Sequence, residues 1–221
     1  METHGNPLDV VLVAGLRWGL YSHDEPCDHP AMLKVGPHTP CQHLARDAVN
    51  LAEMFLRRVD QSAELNAFFT KENDRWTGTT WRDWSRTSHR IAAGIVSLGL
   101  EVGDRVAILG PTRAGWAEFE MGAQLAGCVS LGIYPKQSVD QVRYLLSHSE
   151  AKVVFVAGAE ELATVVSAAD ESCHVTAIIP WDDEGVDASD DPRVRRLPEC
   201  SDEASSAEHL STRHGTRRPD D

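Results

Sequence analysis

The residues able to do chemistry in this chain are scattered, and each competes with a plain structural role. Gly110-Pro111-Thr112-Arg113-Ala114-Gly115 stands where an apolar strand pattern gives way to a helical one, the place at which glycines cradle phosphate. It has neither the Rossmann glycine spacing nor the lysine of a P-loop, so a simple strand-to-helix connection is the favoured reading. Ser130 with Gly132 is half of a hydrolase nucleophile elbow, but Cys128 occupies the position where glycine permits the strained turn. Cys27, His29, Cys41 and His43 offer four candidate zinc ligands in two Cys-x-His pairs. One intervening residue is tighter than finger spacing, and chance is the better account. Trp81, Trp84 and Trp116 suit a ligand box, yet each begins or lines a helix that must pack on a sheet. Asp182-Asp183-Glu184 presents oxygens to a cation and reads as a solvated acidic loop. No residue is assigned a catalytic, cofactor-binding or metal-binding role.

The elements that would position such groups are clearer. Asn50 is placed to cap a helix carrying Leu51, Met54, Phe55 and Val59 at helical spacing. Asn66 to Thr70 reads as a strand, followed by a turn at Thr77 and Gly78. Thr80 with Asp83 forms a weakened capping box for a helix holding Trp84, Ile91, Ile95 and Leu98, which Gly99 stops. After a turn at Val102-Gly103-Asp104, the pattern alternates. Strands are expected at 105–109, 129–134, 152–156 and 175–179. Helices are expected at 114–126, from the Ser138 cap onward with Val142, Leu145 and Leu146, and at 160–169. This rhythm predicts an α/β fold, a mostly parallel sheet flanked by helices.

Residues 1–47 carry Gly5, Pro7, Pro26, Pro30, Gly36, Pro37 and Pro40 without periodicity and read as an irregular extension. Residues 183–221 are acidic and polar, with too little apolar surface to offset ordering entropy, and a disordered tail is expected there. The organised domain is thus expected at 48–182.

A net charge of −13 over 221 residues argues against nucleic acid as a partner, since phosphate neutralisation needs a basic face. Five scattered cysteines fit a reducing, cytoplasmic setting. The apolar run Leu8 to Leu16 is short, contains Asp9 and has no basic residue before it, so it reads as neither signal peptide nor membrane span.

Three ordered segments carry a resemblance. Thr80-Trp81-Arg82-Asp83 is followed by Leu100-Glu101-Val102-Gly103-Asp104-Arg105-Val106-Ala107-Ile108-Leu109, and then by Ala126-Gly127-Cys128-Val129-Ser130-Leu131-Gly132-Ile133-Tyr134-Pro135. Their order and spacing resemble the amino-terminal portion of the AMP-forming acyl-CoA synthetases, over about Asn50 to Val194. Gly132-Ile133-Tyr134-Pro135 with the run Val142 to Val153 is most similar to the long-chain fatty-acid branch, although Lys136-Gln137 replace the usual small residues.

The resemblance implies an incomplete amino-terminal subdomain of an adenylate-forming ligase. The parent reaction would join a fatty acid to AMP and then to CoA, with ATP, Mg²⁺ and CoA as cofactors. The sequence contains no Ser-Gly-Thr-Thr-Gly-x-Pro-Lys phosphate loop: Thr77-Gly78-Thr79-Thr80 is followed by Trp81 where that loop needs glycine. No cofactor is therefore expected on this piece, and it is expected to be inactive alone. Its expected partners are a fatty acyl chain or a protein covering the face left by the absent half. The rival reading is a non-enzymatic module docking on a full-length ligase or another protein. From Arg195 to Asp221 no family motif is evident, so a frameshift near Val194 is expected.

Overall fold

A computed structural model describes residues 12–13, 48–72, 74–181 and 190–197. The chain divides into two compact units, 1–85 and 86–221, the boundary falling inside one helix. The expected disorder over 183–189 and 198–221, and most of the amino-terminal extension, lie outside the described residues.

The first unit holds β1 (Leu12–Val13), α1 (Leu51–Ser62), β2 (Asn66–Glu72), β3 (Arg75–Thr80) and the start of α2 (Trp81–Ser97). The Asn50 side chain accepts from the Glu53 amide at 2.8 Å, and Glu53 accepts from the Val49 amide at 2.8 Å, so the first turn of α1 is satisfied from both directions. The three strands form an antiparallel sheet in the order β1-β2-β3. Thr77 and Gly78, expected to turn, are instead strand residues, with Thr70 opposite Thr77 and Phe69 opposite Gly78. The reversal sits at Asp74, whose φ is 62°. Aspartate tolerates that left-handed conformation, whereas the threonines around Gly78 favour a pleated strand. Leu12 and Val13 pair with Phe69 and Phe68, so the first 47 residues supply a short strand where none was expected.

The second unit begins within α2. Asp83 donates its amide to Thr80 Oγ1 at 3.0 Å, and Gly99, at φ 85°, ends the helix as expected. There follow β4 (Arg105–Leu109), α3 (Ala114–Leu125), β5 (Val129–Ile133), α4 (Val139–Ser149), β6 (Val153–Val156), α5 (Ala159–Ala168) and β7 (Ala177–Pro180). The sheet order is β5-β4-β6-β7, with all pairs parallel. The chain steps from β4 outward to β5, then returns across to β6 on the other flank of β4. That reversal makes a topological switch point between β4 and β6.

Both faces of the sheet are buried over β4, β6 and β7, while the edge strand β5 is partly exposed. Ala107, Leu109, Val154, Val156 and Ile178 pack against Val142 and Leu146 of α4 and Leu162 and Val165 of α5. On the opposite face Phe155 meets Phe119 of α3 at 4.4 Å between ring centroids. Helix α3 lies so close to α2 that a Cβ on Gly122 would stand 2.4 Å from Ile91 Cγ2. The near-continuous apolar strands are those of a sheet covered on both sides.

The organised region runs past the expected boundary at 182. The Ile178 amide donates to the Arg193 carbonyl at 2.9 Å, the Arg195 amide donates to the Ile178 carbonyl at 3.1 Å, and Val194 bridges Ile178 in parallel sense. The Arg193 guanidinium is held by Asp191 and donates to the Ala169 carbonyl. Leu197 fills the notch of Gly94, where a Cβ would come within 2.6 Å of Leu197 Cγ. A mostly polar sequence here is ordered by backbone pairing, one ion pair and the isolated apolar contacts of Val194 and Leu197, none of which makes a hydrophobic period.

Candidate functional site

In open α/β sheets ligands bind outside the carboxyl ends of the strands, beside the switch point. Here that place is built from the residues after β4, β6 and β7. The Ala157 amide donates to the Leu109 carbonyl at 3.1 Å and the Trp181 amide to the Val156 carbonyl at 2.8 Å, stitching three strand ends together. Gly110 stands at the end of β4. A Cβ there would meet Ala157 Cβ at 2.5 Å and Trp181 Cη2 at 2.8 Å. The Trp181 indole thus reaches over β6 to the end of β4, where it lies stacked on Phe119 with centroids 6.0 Å apart and planes 13° apart. It also flanks Gly115 in the first turn of α3, 3.5 Å from where a Cβ would be.

The glycine-containing connection 110–115 is therefore a strand-to-helix link whose amino-terminal helix turn lies beside an indole. Arg113 occupies the N-cap position with extended backbone and no side-chain capping bond. The residues present do not fit ATP phosphates, because the connection offers no lysine and the ring of Trp181 takes the space above Gly110.

Two carboxylates on α3 have altered acidity. Burial pushes the Glu118 carboxyl above its ordinary range, and burial does the same to Glu120 although a hydrogen bond from Ser130 opposes it. Glu120 and Gln124 share the stripe of Trp116, which covers Gly132 of β5 with a closest approach of 3.1 Å to a built Cβ. Ser130 accepts from Gln124 Nε2 at 3.1 Å. Ser130 sits in a regular parallel strand opposite Val106, so the nucleophile-elbow geometry is absent.

At the other end of the sheet Asp104 is buried and receives Lys152 Nζ at 2.7 Å and the Glu101 amide at 2.8 Å. Burial opposes its ionisation, but these partners outweigh it and hold the carboxyl below its usual range. This cluster ties the turn before β4 to the start of β6 and is structural.

The other residues singled out by type are dispersed. Trp81 and Trp84 form an aromatic cluster in the first unit, with Phe55 4.9 Å from Trp84 and Phe68 5.4 Å from it. Thr77 to Thr80 belong to β3. Cys27, His29, Cys41, His43 and Asp182-Asp183-Glu184 lie outside the described residues. Among the described residues no three His, Cys, Asp or Glu side chains gather to hold a metal ion, and no helix is long and apolar enough to cross a membrane. Sequence reasoning missed Trp181, Glu118 and Glu120. The signal available for the first was a tryptophan immediately after the apolar strand ending at Pro180.

The family profile of the AMP-binding enzymes matches residues 55–214, so the chain belongs to that family. The match continues beyond Val194, where the sequence reading placed a break in family character. Among relatives, the long-chain-fatty-acid–CoA ligase FadD15 of Mycobacterium bovis is 38% identical over 138 residues, covering 62% of this chain and 21% of its own length. The long-chain-fatty-acid–CoA ligase ACSBG2 of Xenopus laevis is 29% identical over 136 residues, covering 62% and 18%. A solved fatty acyl CoA synthetase of Mycobacterium tuberculosis superposes with a TM-score of 0.54 at 28% identity, covering 60% of this chain and 26% of that one. The chain spans about a fifth of the length of these curated relatives.

Proposed function

We propose that this chain is the amino-terminal scaffold portion of an AMP-forming long-chain fatty-acid–CoA ligase. The whole reaction would convert fatty acid, ATP and CoA to acyl-CoA, AMP and pyrophosphate. The observation that carries the reading is the family match over 55–214, together with relatives whose printed activity is long-chain fatty-acid–CoA ligation. In this reading the chain supplies sheet, helices and part of the acyl-side wall. Stabilisation of transition-state charge belongs to a phosphate loop that this sequence does not contain. The chain alone binds no nucleotide productively and catalyses neither half-reaction.

The purified chain, given oleate, ATP, Mg²⁺ and CoA, is expected to release no pyrophosphate above a heat-denatured control. Saturable release that depends on the fatty acid would overturn the proposal.

A further inference from the structure

The crevice outside β4 and β6 is filled by the chain itself. Trp181 begins at the end of β7, and its ring ends at Gly110, two strands away, a span of about 10 Å at ordinary strand spacing. Tryptophan is the side chain long and flat enough to make that crossing over Ala157, whose own side chain is a single methyl.

Three features define a slot for a planar ring. Gly110 lacks the Cβ that would collide with the ring, at 2.8 Å from Cη2. Phe119 presents a nearly coplanar face, 13° from the indole plane. A Cβ added at Gly115 would stand 3.5 Å from the indole atoms Cδ2 and Cε3, so the ring passes beside the first turn of α3. The indole N–H is buried and meets no acceptor among the described residues, whose contacts to the ring are those of shape and stacking. Contacts of shape and stacking are open to another group of the same outline.

We infer that this crevice is a binding slot for a planar bicyclic aromatic ring, and that Trp181 occupies it in cis as a built-in plug. The plug closes the place where sheets of this topology take ligands, so a ring from solution enters only when the indole is absent or displaced. The inference stands on the second unit's own geometry and does not depend on the ligase reading.

The test uses the full chain with Trp181→Gly and follows thermal unfolding with added indole. The variant is expected to unfold at lower temperature than the wild type. Millimolar indole should recover most of the difference, non-planar cyclohexanol should recover none, and the wild-type chain, already plugged, should not respond to indole. If W181G does not fold alone, the helical circular dichroism signal should appear only when indole is present during refolding. A second pair of variants separates planarity from bulk: Trp181→Phe should unfold at higher temperature than Trp181→Leu, because only the former keeps the stack on Phe119. Equal recovery by cyclohexanol, no recovery by indole, an equal response of the wild type, or a leucine variant at least as stable as the phenylalanine variant would each overturn the inference.

Discussion

At the scale of single residues, Glu118 and Glu120 on α3 are the carboxylates whose surroundings oppose their charge, whereas the partners of Asp104 favour its charge. Glu118 is half-buried, and desolvation alone raises its pKa. A carboxyl whose folded-state pKa lies above its unfolded value favours folding fully only below that unfolded value, about 4.3 for glutamate, and the contribution is lost as pH rises through the folded value. At neutral pH the ionised group therefore opposes folding, and an uncharged isostere relieves the cost. Glu118→Gln is expected to unfold at higher temperature than the wild type at pH 7, with the gap closing as the pH is taken below 4. A gap that is absent at pH 7 or persists unchanged in acid would show that Glu118 is not penalised by burial. None of this was legible in the sequence. Glu118 looks like an ordinary solvent-facing helix glutamate until the packing of α3 is known.

At the scale of elements, most of the second unit was legible because its central strands are continuous apolar runs and α4 carries a strong cap. The Ser138 box is present, with its hydroxyl accepting from the Gln141 amide at 3.3 Å and the Gln141 side chain accepting from the Ser138 amide at 2.9 Å. What failed was local punctuation: Gly78 reads as a turn residue, yet it lies within β3, where the end of the Asn66 side chain takes the space a Cβ would enter. The segment 190–197 was missed because backbone bonds to Ile178 and the Arg193–Asp191 pair carry no periodicity. Glycines in the β4–α3 connection divide the same way, and they give a paired prediction. Gly110→Ala forces a methyl against Ala157 Cβ and is expected to cost about 1–3 kcal/mol, as overpacking does. Gly115→Ala meets only ordinary contact within a helix and is expected to be neutral or to gain up to about 1 kcal/mol. Denaturant titration of both variants checks this, and equal losses would contradict the packing described.

At the scale of the whole molecule, the ordered combination of short motifs located the family, and the profile match over 55–214 established it. The candidate site was far less legible. The sequence pointed to the 110–115 connection as a strand-to-helix link, which it is, but what stands over that connection comes from Trp181, about seventy residues later, and only the parallel order β4-β6-β7 brings the two together. The proposed scaffold role makes this chain interchangeable with the matched segment of an AMP-forming ligase. It is tested most directly by replacing the matched segment of the Mycobacterium bovis FadD15 ligase with the corresponding residues of this chain and measuring acyl-CoA formed from oleate, ATP, Mg²⁺ and CoA. Saturable acyl-CoA formation by the chimera is the expected result. A chimera that unfolds as cooperatively as its parent yet forms no acyl-CoA would contradict it.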